Sequence, residues 1–173
     1  MNAAVPPIVA FKLPPISDVE ASGFGRGSFP IEVGFVMADG RTYCTLIRPE
    51  PGWDHWDAAA ETVHGVARPL LDSHGRAARE VARQLNDLLR DQDVYSDGWV
   101  NDFSWLWCLF DSVDSAPAFR LKNLRELLSE EQAACWHDTK ALVEGNMVGR
   151  RHRASADALL IQETLRQVKS SVR

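Results

Sequence analysis

The sequence predicts an α/β fold: a mixed β-sheet, three antiparallel strands and then parallel ones, with helices on both faces. Three observations predict it. Strand-like segments crowd the first fifty residues, a later strand alternates with segments of helical periodicity, and strands so ordered pack best as a sheet covered on two sides. The chain has 173 residues and is 45% hydrophobic. That suits a single domain over 1–173 with a sizeable core, and is too short for two large ones.

The elements follow in order. Residues 1–13 read as a loose, proline-containing leader. "PISDVE" is a first strand, with Pro14 and Pro15 at its start, where the missing ladder donor is tolerated. "PIEVGFVMADG" is a second strand closed by a turn at Asp39-Gly40, and "RTYCTLIRP", rich in β-formers, returns antiparallel. "DAAAETVHGV" is a short helix ending near Gly65. In "SHGRAAREVARQLNDLLRD", Ala78, Val81, Ala82, Leu85, Leu88 and Leu89 recur at helical spacing. "QDVYSDG" is a buried strand and turn, and "DFSWLWCLFDSV" a helix on which Trp105 and Trp107 cannot face the same side. "NLRELLSEEQAACWHDTKALVEGN" is helical on balance, and "SADALLIQETLRQVKSS" is a terminal helix. No internal repeat interrupts this order.

Composition narrows the function classes. The formal net charge is −5 and the pI near 5.5, whereas a nucleic-acid binder relying on bulk electrostatics is basic. A nucleic-acid partner must therefore be held by a local basic patch or through bound cations. Cys44, Cys108 and Cys135 are odd in number and widely spaced, without a C-x-x-C pair. That opposes a disulfide framework and a standard zinc site, and fits buried, reduced thiols in a cytoplasmic protein. "MNAAVPPIVAFKLPP" is a poor signal peptide, and "WLWCLF" is too short to span a bilayer, so no membrane partner is expected.

Three stretches carry chemistry. Asp18 and Glu20 stand two apart on the first strand, so they share one face at roughly 7 Å. Two ionised carboxylates so placed repel, and hard divalent cations remove the repulsion while leaving positions open for phosphate. A D-x-E pair alone more often marks a solvated strand end. In "RRHRASADALLI", His152 and Asp157 are five apart, which on one helix would turn them roughly 140° away from each other. They share a site only if His152 precedes the helix and Asp157 lies in its first turns, with Ser155 or His152 as the cap. A histidine there, with an ordinary pKa near neutrality, suits proton removal from water; alone it reads as a surface residue among arginines. In "VYSDGWVNDFSWL", Asp97 and Asp102 bracket a strand-to-helix junction, where Asp commonly caps and can also complete a metal cage. Asp54, His55 and Asp57 form a further acidic and histidine group, whose loop lacks a matching partner.

Together these stretches resemble the DEDDh 3′→5′ exonucleases, the family of polymerase proofreading subunits, ribonuclease T and oligoribonuclease, over residues 16 to about 164. "DVEASG" is similar to the family's first motif, "PIEVGFV" to its second strand, "ETVHGV" to its His-Gly-Ile loop, and "HRASADA" to its final H-x-x-x-x-D motif. The middle motif departs: the family has His-Asn before Phe-Asp, and here "DGWVND" displaces the asparagine and lacks the aromatic. "DFSWL" keeps the following Asp-x-x-aromatic-Leu pattern, which assigns Asp102, with Asp97 as the alternative.

The resemblance implies a ribonuclease-H-like fold and two-metal phosphodiester hydrolysis. Asp18, Glu20, Asp102 and Asp157 would hold two divalent cations, Mg²⁺ or Mn²⁺, with Asp18 shared and His152 as general base. The implied substrate is the 3′ end of single-stranded DNA or RNA, released as 5′-mononucleotides. Ala21, Ser22 and Gly23 would let the backbone approach the terminal nucleotide, and Phe24 would stack on a base or pack in the loop. His64 would touch that nucleotide or be structural. Arg150, Arg151 and Arg153 would meet phosphates or form a solvated basic loop. Stand-alone members of the family favour a homodimer. Two other readings stand beside this one: a catalytically silent nucleic-acid-binding or scaffold module on the same fold, and a hydrolase of short oligonucleotides.

Overall fold

In the computed structural model, residues 11–147 and 152–171 are described. Five strands, β1 (Ile16–Ala21), β2 (Pro30–Val36), β3 (Thr42–Leu46), β4 (Asp93–Ser96) and β5 (Arg120–Asn123), form one sheet in the order β3-β2-β1-β4-β5. β1 pairs antiparallel with β2, and β2 with β3, whereas β4 and β5 run parallel to β1. The helices are α1 (Ala58–His64), α2 (Arg68–His74), α3 (Ala78–Leu89), α4 (Trp99–Asp111), α5 (Glu130–Ala134), α6 (Trp136–Asn146) and α7 (Ala154–Ser171).

Alternation along β1 divides its side chains between two cores. Ile16 joins Val36, Ala158, Ile161, Leu165 and Val168 under α7. Val19 and Ala21 join Val33, Phe35 and the apolar stripes of α3 and α4 on the other face. Asp18 and Glu20 follow the parity of Ile16 and so belong to the α7 face, beyond its apolar part. The mixed sheet, covered on both faces, is the architecture expected.

Several details differ from expectation. Of the expected leader, residues 1–10 lie outside the described residues, and residues 11–15 have no regular structure before β1. β5 and α2 had no sequence signal. "RLKN" offers one apolar residue, and seven-residue α2 buries only Leu71, too little for a period to repeat. Leu88 is exposed, because the α3 stripe closes on Leu89 instead. Cys44 is also exposed, since β3 is a sheet edge, and all three cysteines are free thiols. Trp105 is buried and Trp107 exposed, as their angular separation on α4 requires. Among the described residues no helix is long and apolar enough to cross a membrane.

Candidate active site

The site is built where β1 ends. In the β1–β2 ladder Asp18 faces Gly34 and Glu20 faces Glu32. Gly34 has no side chain for a reason: a Cβ there would fall on the backbone of Ala154 and Ser155. The start of α7 therefore rests directly on β2, beside Asp18. Asp157 lies in the first turn of α7, its amide donating to the Arg153 carbonyl at 3.0 Å. His152 precedes the helix with φ of 56°, a left-handed conformation costly for a residue with a Cβ. Its Nδ1 stands 4.0 Å from Asp157 Oδ2. One ligand atom each from Glu20, His152 and Asp157 lie within 4.8 Å of one another.

The cap of α7 is neither Ser155 nor His152. The Ala154 amide donates to Glu32 Oε2 at 2.9 Å, across 122 residues of chain. The Arg153 guanidinium forks onto the same carboxylate, with Nε 3.0 Å from each oxygen and a terminal nitrogen closer still. A capping carboxylate supplied by another strand leaves no local sequence signal. The trace it does leave is a glutamate inside the apolar run "PIEVGFV".

Asp102 is buried in the first turn of α4 and accepts a hydrogen bond from Ser96 Oγ at 2.5 Å. Asp97 accepts instead from Lys140 Nζ, on α6, at 2.5 Å. Of the two alternatives, Asp102 lines the cleft that Asp18, Glu20, His152 and Asp157 also line, and Asp97 does not.

The electrostatics follow from this crowding. Burial holds Asp18 well above the ordinary carboxylate range, and Asp102, Glu20, Asp157 and Asp97 push the same way. Burial and then Asp157 and Glu32 raise Glu20 to about 7, against the pull of Arg153. Burial raises Asp102 to about 7, with Asp97 and Glu20 adding and the Ser96 hydrogen bond opposing. Carboxylates driven this far toward their neutral forms are a poor arrangement for the protein alone. They are a good donor set for hard divalent cations, which prefer oxygen ligands and supply the missing positive charge.

The cleft, about 420 Å³, has an apolar side formed by Phe24, Val63 and Trp105. Phe24 is exposed on the rim, its ring 5.7 Å from that of Trp105. His64 is 5% exposed, and its Nδ1 accepts from the Val66 amide at 3.0 Å. That leaves Nε2 carrying the proton in the neutral ring, and burial lowers the pKa so that the ring stays neutral. Nε2 is buried and has no hydrogen-bond partner among the described residues.

The remaining expected site residues divide. Ala21, Gly23 and Phe24 line the cleft. Ser22 does not: its hydroxyl is buried, accepts from the Phe29 amide at 3.1 Å and pairs with His55 Nδ1 at 3.2 Å. Gly23, at φ of 150°, packs against His55 and Asp57 where a side chain would collide. His55 and Asp57 have structural partners, Asp57 capping α1 through the Ala59 amide. Arg153 is committed to Glu32 rather than to an open groove. Arg150 and Arg151 lie outside the described residues. Sequence reasoning missed Glu32, Lys140 and Val63.

The fold is that of known exonucleases. E. coli exonuclease I, in its zinc-bound complex with single-stranded DNA, superposes with a TM-score of 0.72 at 13% identity, over 91% of this chain and 40% of that one. Exonuclease I from Methylocaldum szegediense gives 0.65 at 12% identity, over 91% and 40%. A 3′-exonuclease that recognises the 3′ end of the histone mRNA stem-loop gives 0.66 at 15% identity, over 91% and 63%. The chain thus spans about 40% of the length of the exonuclease I structures. No family model matches the sequence, and no curated protein does.

Proposed function

We propose that this chain is a DEDDh-type 3′→5′ exonuclease, hydrolysing single-stranded DNA or RNA from the 3′ end and releasing 5′-mononucleotides. The observation that carries this reading is the convergence of Asp18, Glu20, Asp102, Asp157 and His152 on one cleft, from three separate parts of the chain. The shared fold of the exonucleases supports it. In this reading Asp18, Glu20, Asp102 and Asp157 hold two divalent cations, Mg²⁺ or Mn²⁺, which when bound neutralise the phosphate and make water acidic enough to deprotonate near neutral pH.

The chain's own groups do the rest. His152, placed beside Asp157, takes the proton of the attacking water as general base. Phe24 and Val63 flank the terminal base with apolar surface, which suits any sequence because every base has a π-face. The buried His64 Nε2–H donates to an oxygen of the terminal nucleotide, a partner that no described residue supplies. Gly23 lines the cleft with backbone, its close packing on His55 and Asp57 leaving no room for a side chain. The reading carries a homodimer and a cytoplasmic setting from the family, the first open to sedimentation and the second in keeping with three free thiols.

The test is a time course on 5′-labelled single-stranded DNA and RNA with Mg²⁺, Mn²⁺ or chelator. A ladder shortening by single nucleotides, dependent on metal and lost in Asp18→Ala, is expected. Binding without shortening under every metal condition would point to the catalytically silent module, and cleavage confined to the shortest oligonucleotides to the third reading.

A further inference from the structure

Glu32 is a glutamate with no solvent exposure on a strand whose every residue is buried. It lies on the α7 face, opposite Glu20 in the ladder. Its charge adds to the repulsion around Glu20. It is held there by three donors from two consecutive residues: Nε and a terminal nitrogen of Arg153, and the backbone N–H of Ala154. The residue just before this grip is His152, in its left-handed conformation. One turn after it comes Asp157.

We propose that Glu32 is the positioning residue of the site: by clamping Arg153 and Ala154 it fixes His152 and Asp157 against the β1 carboxylates. The inference rests on the exonuclease reading and adds to it a residue that touches neither phosphate nor water. β2 is hydrogen-bonded to β1 in register, so a group held by Glu32 is held relative to Asp18 and Glu20. Gly34, two residues along on the same face, sets how closely α7 approaches, and Glu32 sets where along β2 it begins. The planar guanidinium suits this task, because two parallel donors define an orientation that an ammonium would not. The unfavourable φ of His152 is maintained because the two residues that follow it are fixed.

The test compares Glu32→Gln, Arg153→Lys and the double variant Glu32→Gln/Arg153→Gln with the parent chain. The measurements are kcat and KM on a labelled single-stranded oligonucleotide with Mn²⁺, Tm, and the ring resonances of His152 and His64 in the metal-free chain. With Glu32→Gln we expect kcat to fall about 30-fold and KM to change less than about 3-fold, because a misplaced base costs turnover rather than binding. Arg153→Lys, which keeps the charge and loses the fork, falls about 5-fold. The His152 ring resonance moves toward that of a free imidazole, and the His64 resonance stays in place. The double variant carries no uncompensated charge, so its Tm recovers toward that of the parent while kcat stays low. Recovery of kcat together with Tm would reduce Glu32 to a stability role, and an unmoved His152 resonance in Glu32→Gln would overturn the clamp. A parent chain that turns over neither DNA nor RNA would remove the exonuclease reading, and the ring resonances would still decide the clamp.

Discussion

Glu20 and Glu32 face each other across the same pair of strands, on the same face of the sheet, and meet opposite fates. Glu32 is fully buried and has a guanidinium and a helix-terminal N–H on its oxygens. Glu20 is half-buried, and burial first, then Asp157 and Glu32, raise its pKa to about 7 against the pull of Arg153. The difference separates two uses of buried negative charge. Where a described residue neutralises the charge, the carboxylate holds the fold together; in the proposed reading, the others are kept for cations that arrive from outside. Asp97 repeats the first pattern with Lys140, and Asp18 repeats the second.

The strongest way to break this comparison is at Asp18. Asp18→Asn is expected to lower exonuclease turnover at least about a thousand-fold, equivalent to about 4 kcal/mol of barrier. It should also raise the Tm of the metal-free chain at pH 8, because a repelling charge is removed. A fall in both would place Asp18 with Glu32 as a structural carboxylate. Glu32→Ala is expected to move stability the opposite way, destabilising the chain by roughly 3 kcal/mol in urea unfolding, since it strands Arg153 and the start of α7. A change within experimental error there would mean that the clamp is ornamental.

A smaller effect concerns pH. Glu20 and Asp102 have folded-state pKa values of about 7, above their ordinary 4.5 and 3.8, so the folded chain binds more protons than the unfolded one between these limits. Stability is therefore highest below pH 4 to 4.5 as far as these groups are concerned, falls as pH rises toward 7, and has lost their contribution above it. The metal-free chain should melt lower at pH 8 than at pH 5.5, with saturating Mn²⁺ reversing most of the difference. A flat Tm profile would show that the carboxylates are already compensated. The smallest effect is expected at Lys140→Gln, which frees Asp97 to act on Asp102 and should steepen that same pH slope without shifting KM.

Much of this was legible in the sequence, and the reasons are local. The period-two alternation of "ISDVE" put Asp18 and Glu20 on one face, and the five-residue gap between His152 and Asp157 required a histidine ahead of the helix, where it is found. Asp102 was within reach only through the resemblance in "DFSWL", and the helix begins three residues before it, at Trp99. What escaped was non-local. The partner of Glu32 lies 121 residues away, and that of Asp97 43 residues away, distances at which no spacing rule operates. Ser22 and Gly23 looked alike as small residues beside a motif, and Phe24 was left between stacking on a base and packing in the loop. Only packing separated a buried hydroxyl, a crowded glycine and an exposed ring.

The dependence of the site on α7 also bears on how the molecule is made. Asp18, Glu20 and Glu32 leave the ribosome early, and His152 and Asp157 follow only after the whole sheet has been synthesised. Until then the nascent polypeptide carries an incomplete acid cluster and a glutamate without its arginine. A site assembled in this order is complete only once α7 has docked on β2.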